Sequence, residues 1–164
     1  MKYIILFAFV LSTSVFAQYA LPIGKAQLNA GVGFSSWGTP IIVGLDYGIH
    51  KDISVGGEVS YVSYGEDLLG SNYSHTIIGI LANGNYHFNN LFKIDKQFDL
   101  YAGVNIGYFY WKSPSGYGGS SASGLGLGSQ VGGRYYFNEN FGVNLEFGGG
   151  NTTSGGKVGI TYKF

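Results

Sequence analysis

From Lys25 onward, apolar and small polar residues alternate along the chain. Leu28, Ala30, Val32 and Phe34 share one parity, and Gln27, Asn29, Gly31 and Gly33 the other. A period of two is the signature of a β-strand with two unlike faces. The rhythm recurs and predicts eight strands: Lys25–Ser35, Ile41–His50, Ile53–Tyr64, Ser74–Phe88, Gln97–Trp111, Ser123–Phe137, Phe141–Gly149 and Lys157–Phe164. The fifth has the longest clean stripe, Phe98, Leu100, Ala102, Val104, Ile106, Tyr108 and Tyr110, set against Asp99, Tyr101, Gly103, Asn105, Gly107 and Phe109. Ile77 and Leu81 break the pattern on the polar side of the fourth. The last strand sets Val158, Ile160, Tyr162 and Phe164 against Lys157, Gly159, Thr161 and Lys163.

The intervening stretches read as turns and loops. Lys51-Asp52 and Asn138-Glu139-Asn140 are short. Asn89–Lys96 is longer and holds Leu91 and Phe92. Gly65–Tyr73 reads as a polar connection, and Lys112–Ala122, rich in Gly and Ser with Pro114, as an exposed loop. All links can be hairpins, so the expected architecture is an all-β, eight-stranded antiparallel up-and-down barrel. Closure removes the edges that the first and last strands would otherwise leave. With both ends of the mature chain on one side, mostly short turns fall at a periplasmic rim and longer loops outside.

Which way the apolar face looks is decided by the other face. A water-soluble, lipocalin-like barrel would carry a solvated outer face dense in Lys and Glu. Here the second face is mostly Gly, Ser and Asn, with charges only at Asp46, Glu58, Asp99, Arg134, Glu146, Lys157 and Lys163. Such a face suits a crowded interior, which turns the apolar face toward lipid. The barrel is therefore expected to be transmembrane. The chain has 29 Gly, 14 Tyr and 12 Phe. Glycine relieves crowding inside a small barrel, and outward aromatics near the strand ends suit the two membrane interfaces.

Residues 1–17 read as a signal peptide: a basic Met1-Lys2, an apolar Tyr3–Leu11 and a cleavage-like Val15-Phe16-Ala17. The apolar run is shorter than the roughly 20 residues a spanning helix needs. The barrel would then be residues 18–164, and 164 − 17 leaves 147 residues. Removing Lys2 leaves eight Lys plus Arg against nine Asp plus Glu, a net charge of −1 that gives no reason to expect nucleic acid. There is no Cys, so hydrogen bonds and packing must hold the fold.

Isolated interior charges are costly, so they should pair. The expected lumenal polar network is Glu58, Arg134, Glu146 and Lys157. A hairpin centred on Glu139 sets Arg134 opposite Asn144, which makes Glu146 a diagonal partner of Arg134 at best. Glu58 must reach across the lumen. The network reads as a structural plug, with a gated polar path as the alternative. An eight-stranded barrel has room for packed side chains or one small ligand, not a wide pore.

The whole of residues 18–164 resembles the small outer-membrane β-barrel proteins of Gram-negative bacteria, the outer-membrane protein A-like and opacity-like barrels, in a Gly- and Tyr-rich style common in Bacteroidota. The closing Val158-Gly159-Ile160-Thr161-Tyr162-Lys163-Phe164 is similar to that family's C-terminal strand. The resemblance implies that Tyr162 and Phe164 form an assembly signal read by the barrel assembly machinery. It implies the cell outer membrane as location, with outer-membrane lipids and lipopolysaccharide as surroundings. It leaves function open among structural proteins, adhesins, small-solute channels and lipid-modifying enzymes. Unlike the longer relatives, the protein is expected to carry no C-terminal peptidoglycan-binding domain.

No chemistry stands out. Ser74 and His75 are adjacent in a strand and point to opposite faces, a poor nucleophile–base pair. His75 falls on the inward side, and His50 and His87 fall toward the periplasmic rim. The histidines have no metal-ligand spacing, so no catalytic, cofactor or metal site is expected. The glycine runs at Gly116–Gly119 and Gly124–Gly128 lack the strand–loop–helix setting and the lysine of a phosphate loop. The reading is a non-catalytic outer-membrane barrel with a structural or surface-interaction role, with an extracellular ligand at the Gly65–Tyr73 and Lys112–Ala122 loops. The alternatives are a narrow channel or small-solute binder, then a lipid A-modifying enzyme, and last a soluble carrier.

Overall fold

The computed structural model describes residues 21–35, 38–68, 71–112, 123–151 and 155–164. The expected signal peptide and nearly all of the Lys112–Ala122 loop lie outside them. Eight strands form: β1 (Ala26–Phe34), β2 (Ile41–His50), β3 (Ile53–Leu68), β4 (Ser71–His87), β5 (Phe98–Lys112), β6 (Gly124–Tyr136), β7 (Phe141–Gly150) and β8 (Gly155–Lys163). Each pairs antiparallel with the next, and β8 pairs with β1 to close the barrel. Closure leaves no open edge around the wall. We call the end holding Ala26 and Lys163 proximal and the opposite end distal.

Alternation sets the two faces. In β2, Ile42, Asp46 and Gly48 are buried while Ile41, Val43, Leu45 and Tyr47 are exposed. At mid-barrel Val104 and Leu127 are 67% and 66% exposed. The interior holds Gln27, Asp46, Asn85, Asp99, Arg134 and Glu146 instead, all buried. A fold with ionised groups at its axis and aliphatic side chains around its girth is inside out with respect to water. Its outer face requires an apolar surrounding, and only a closed barrel can satisfy its backbone there. The nine- and ten-residue strands β1, β2, β7 and β8 match the roughly 9–11 residues of a tilted crossing.

Rings crowd the proximal rim. Phe98 lies 5.0 Å from Tyr135, Tyr135 5.5 Å from Phe137, Phe137 5.9 Å from Phe141, and Tyr162 5.2 Å from Phe164, between centroids. The β4–β5 connection adds a one-turn helix, α1 (Asn89–Phe92). Asn89 Nδ2 donates to the Phe98 carbonyl at 2.5 Å and Asn90 Nδ2 to Asp52 at 2.6 Å. These bonds hold Leu91 and Phe92 outward, and Phe92 stacks 5.8 Å from Phe88.

One expected connection is absent. Gly65–Tyr73 reads as a polar link, yet β3 and β4 continue through all its described residues, pairing Gly65 with Ser74, Glu66 with Tyr73 and Leu68 with Ser71. The neighbours stop earlier, at Ile41 opposite Tyr61 and at Lys112 opposite Thr76. The β3–β4 ribbon thus projects five residues past the end of β5, roughly 17 Å at 3.4 Å per residue. The sequence Gly65-Glu66-Asp67 keeps no apolar parity, although the pairing continues.

Candidate lumenal site

The lumen is crossed by a connected set of polar side chains. Lys157 on β8 lies directly opposite Glu146 on β7. Its Nζ is 2.9 Å from Glu146 Oε1 and also donates to Glu58 Oε2, which arrives from β3 across the lumen. Arg134 is placed elsewhere. It sits opposite Asn144, and its guanidinium takes two other carboxylates, Nη1 to Asp99 Oδ2 and Nη2 to Asp46 Oδ2, both at 2.8 Å. The sequence reading grouped Arg134 with Glu58, Glu146 and Lys157. The structure brings the other three together and seats Arg134 one layer closer to the proximal end.

Tyr101 joins the layers. Its hydroxyl donates to Glu146 Oε2 at 2.7 Å, and the Arg134 guanidinium lies 4.2 Å from its ring centroid. The ring reaches across because Gly132 stands opposite it in β6; a Cβ at Gly132 would fall on the Tyr101 ring and hydroxyl. Below Arg134, Asp46 accepts from Asn29 at 2.9 Å, and Tyr136 donates to Gln27 at 2.6 Å. Lys163 Nζ lies 3.5 Å from the Tyr136 ring centroid. Burial makes each charge expensive alone, and a planar guanidinium between two carboxylates returns hydrogen bonds on both sides. Between the two layers a cavity of about 20 Å³ is bordered by Asn83, Asn144 and Arg134, the space of a single water.

A second constellation escaped the sequence reading. Ser54 Oγ is 2.9 Å from His87 Nε2, and His87 Nδ1 is 2.7 Å from Asp99 Oδ1. The carboxylate can only accept, so Nδ1 donates to Asp99, and Nε2 is the nitrogen that faces the serine hydroxyl. That is the bonding order of a Ser-His-Asp triad. Its surroundings are unlike those of a hydrolase. Ser54 and Asp99 are fully buried, the 20 Å³ cavity does not border Ser54, and Asp99 is shared with Arg134. The three residues stand on β3, β4 and β5, whose register alone would have revealed the set. Of the other histidines, His75 is buried beside Trp111, 6.4 Å between ring centroids, and His50 is exposed near Asp52. Among the described residues no group of three or more His, Asp or Glu is placed to hold a metal.

Distal to the Lys157 layer lies the larger cavity, about 260 Å³, reaching from Glu58, Glu146 and Lys157 to Pro40 and Asn151 at the rim. On the outer face Tyr162 and Phe164, the expected assembly signal, are both exposed at the proximal rim.

No family model matches the chain, and no curated protein matches it significantly. Solved structures do match. The outer membrane protein OprG from Pseudomonas aeruginosa superposes with a TM-score of 0.66 at 14% identity, covering 90% of this chain and 99% of that one. Neisserial surface protein A gives 0.56 at 18% identity, over 85% of this chain and 95% of the other. The attachment invasion locus protein Ail of Yersinia pestis, solved with the heparin analogue sucrose octasulfate, gives 0.56 at 15% identity, over 87% and 100%. At such identities the match is one of fold: the chain folds as a small eight-stranded outer-membrane β-barrel.

Proposed function

We propose that the protein is a non-catalytic resident of the bacterial outer membrane with a structural or surface-interaction role, its proximal rim in the periplasm and its β3–β4 ribbon outside. The observation that carries this reading is the unbroken chain Glu58–Lys157–Glu146–Tyr101–Arg134, with Asp46 and Asp99 beyond it. These groups fill the axis with hydrogen-bonded charges, so the network acts as a plug and a brace rather than a path. The ribbon, whose described residues beyond Ser63 and Thr76 strand-pair only within the β3–β4 hairpin, offers the contact surface. Lipids and lipopolysaccharide surround the girth, and the barrel assembly machinery reads Tyr162 and Phe164.

The competing readings are tested together. Purified barrel in planar bilayers is expected to show no discrete openings; regular unitary steps would establish a passage. The lipid A mass spectrum of cells with and without the protein is expected to be the same. A changed acylation pattern, lost with Ser54→Ala, would make the Ser54–His87–Asp99 set catalytic and end the proposal.

A further inference from the structure

We infer that the distal half of the lumen is a binding cup for a small organic cation with an apolar body. The lumen changes character along its length. Its proximal part is polar, whereas at the distal end Ile42, Val62 and Ile77 turn inward and are buried, beside a half-buried Phe109. They come from β2, β3, β4 and β5 in turn and form an apolar wall of the 260 Å³ cavity, interrupted by Ser60 of β3 opposite Ile42. Phe109 can lie against that wall because Gly79 stands opposite it; a Cβ there would come 2.7 Å from the ring.

The facing wall has no bulk, since β7 and β8 present Gly148 and Gly155. A plug would fill this space with side chains, as Tyr101 and Arg134 do below. Here large residues face glycines and leave a slot. Water in it would number about nine molecules at ~30 Å³ each, held by a wall that gives them few hydrogen bonds. A cavity of about 150 Å³ accepts benzene, so this one takes a ring with a short chain.

The floor sets the sign of the ligand. Two carboxylates, Glu58 and Glu146, face a single ammonium, Lys157, which leaves one negative charge in excess. The next layer, Asp46 and Asp99 around Arg134 with His87 and Lys163 close by, does not border this cavity. Glu146 is bonded through both oxygens, whereas among the described residues Glu58 accepts only through Oε2. A protonated amine entering from outside would rest its apolar part on Ile42, Val62 and Ile77 and reach the free edge of Glu58. A carboxylate in its place would meet uncompensated negative charge in a poorly solvated cup.

The inference needs the barrel but not the surface role, and silent bilayers leave it standing. The full chain, in nanodiscs with labelled methyl groups, is titrated with 2-phenylethylamine. The signals of Ile42, Val62 and Ile77 are expected to shift saturably, those of the lipid-facing Val104 and Leu127 only in proportion to partition into the bilayer. Phenylacetate is expected to leave the first set unmoved. Glu58→Gln should weaken the apparent affinity at least tenfold, and Val62→Phe, which fills the slot, should abolish saturation. Overturning results are non-saturable shifts, equal responses to amine and acid, or undiminished binding to Val62→Phe. Should Glu58→Gln not fold, the comparison of the two ligands on the unaltered protein decides the matter.

Discussion

Gly132 shows how a residue without a side chain can organise a lumen. Its missing Cβ is the space through which Tyr101 reaches Glu146 and supports Arg134. Gly132→Ala should therefore force the ring aside and destabilise the barrel by about 1–3 kcal/mol, the usual cost of overpacking. In a Tyr101→Ala background the same change has nothing to strike and should cost far less. A double-mutant cycle by urea unfolding in lipid vesicles measures the coupling; equal costs in both backgrounds would place the strain elsewhere. This scale was the least legible from sequence. Tyr101 was assigned to the inner face by parity, but its partner Gly132 depends on register. Arg134 was paired by proximity in sequence with Glu146, whereas its carboxylates Asp46 and Asp99 come from β2 and β5. In a closed barrel strands far apart in the chain face each other across the axis, and alternation carries no information about that pairing. The Ser54–His87–Asp99 set was hidden for the same reason.

At the scale of elements, alternation carried the reading wherever lipid lay on one side. β2 runs Ile41–His50 as expected, and the other strand ends fall within one residue of prediction, apart from the distal ends of β3 and β4 and the start of β8. The rule is physical: a strand needs an apolar parity only where one face is out of water. Gly65, Glu66 and Asp67 lie beyond that zone and so looked like a loop, although they are paired. Their pairing partners are Ser74, Tyr73 and Asn72 of β4, not a strand of the wall beyond it, which makes the ribbon separable from the wall. Replacing Glu66–Tyr73 by Asn-Gly, which favours a two-residue hairpin turn, should leave the urea midpoint and the heat-modifiable gel shift of the barrel unchanged. Any binding of cells to a host or bacterial surface that depends on this protein should be lost. A barrel that no longer folds would show that the ribbon nucleates assembly, and a role beyond surface display would follow.

The molecule as a whole is asymmetric along its axis, and the asymmetry gives it a direction in the membrane. Proximally, the rim is ringed by Phe98, Tyr135, Phe137, Phe141, Tyr162 and Phe164, with Leu91 and Phe92 of α1 added at the same level. Such a belt anchors one end at headgroup depth. Distally the ribbon extends into water and the apolar cup opens. The proximal turns between β2 and β3 and between β6 and β7 are short, as suits the side from which a barrel is delivered. Direction can be read chemically because the chain contains no cysteine. Thr39, in the distal β1–β2 connection, and Glu139, in the proximal β6–β7 turn, are both exposed. With Thr39→Cys, a maleimide on a polyethylene glycol too large to cross the outer membrane should label intact cells. With Glu139→Cys it should label only after the membrane is broken. Labelling of Glu139→Cys in intact cells, with Thr39→Cys protected, would invert the barrel, putting ribbon and cup in the periplasm and removing both from contact with anything outside the cell.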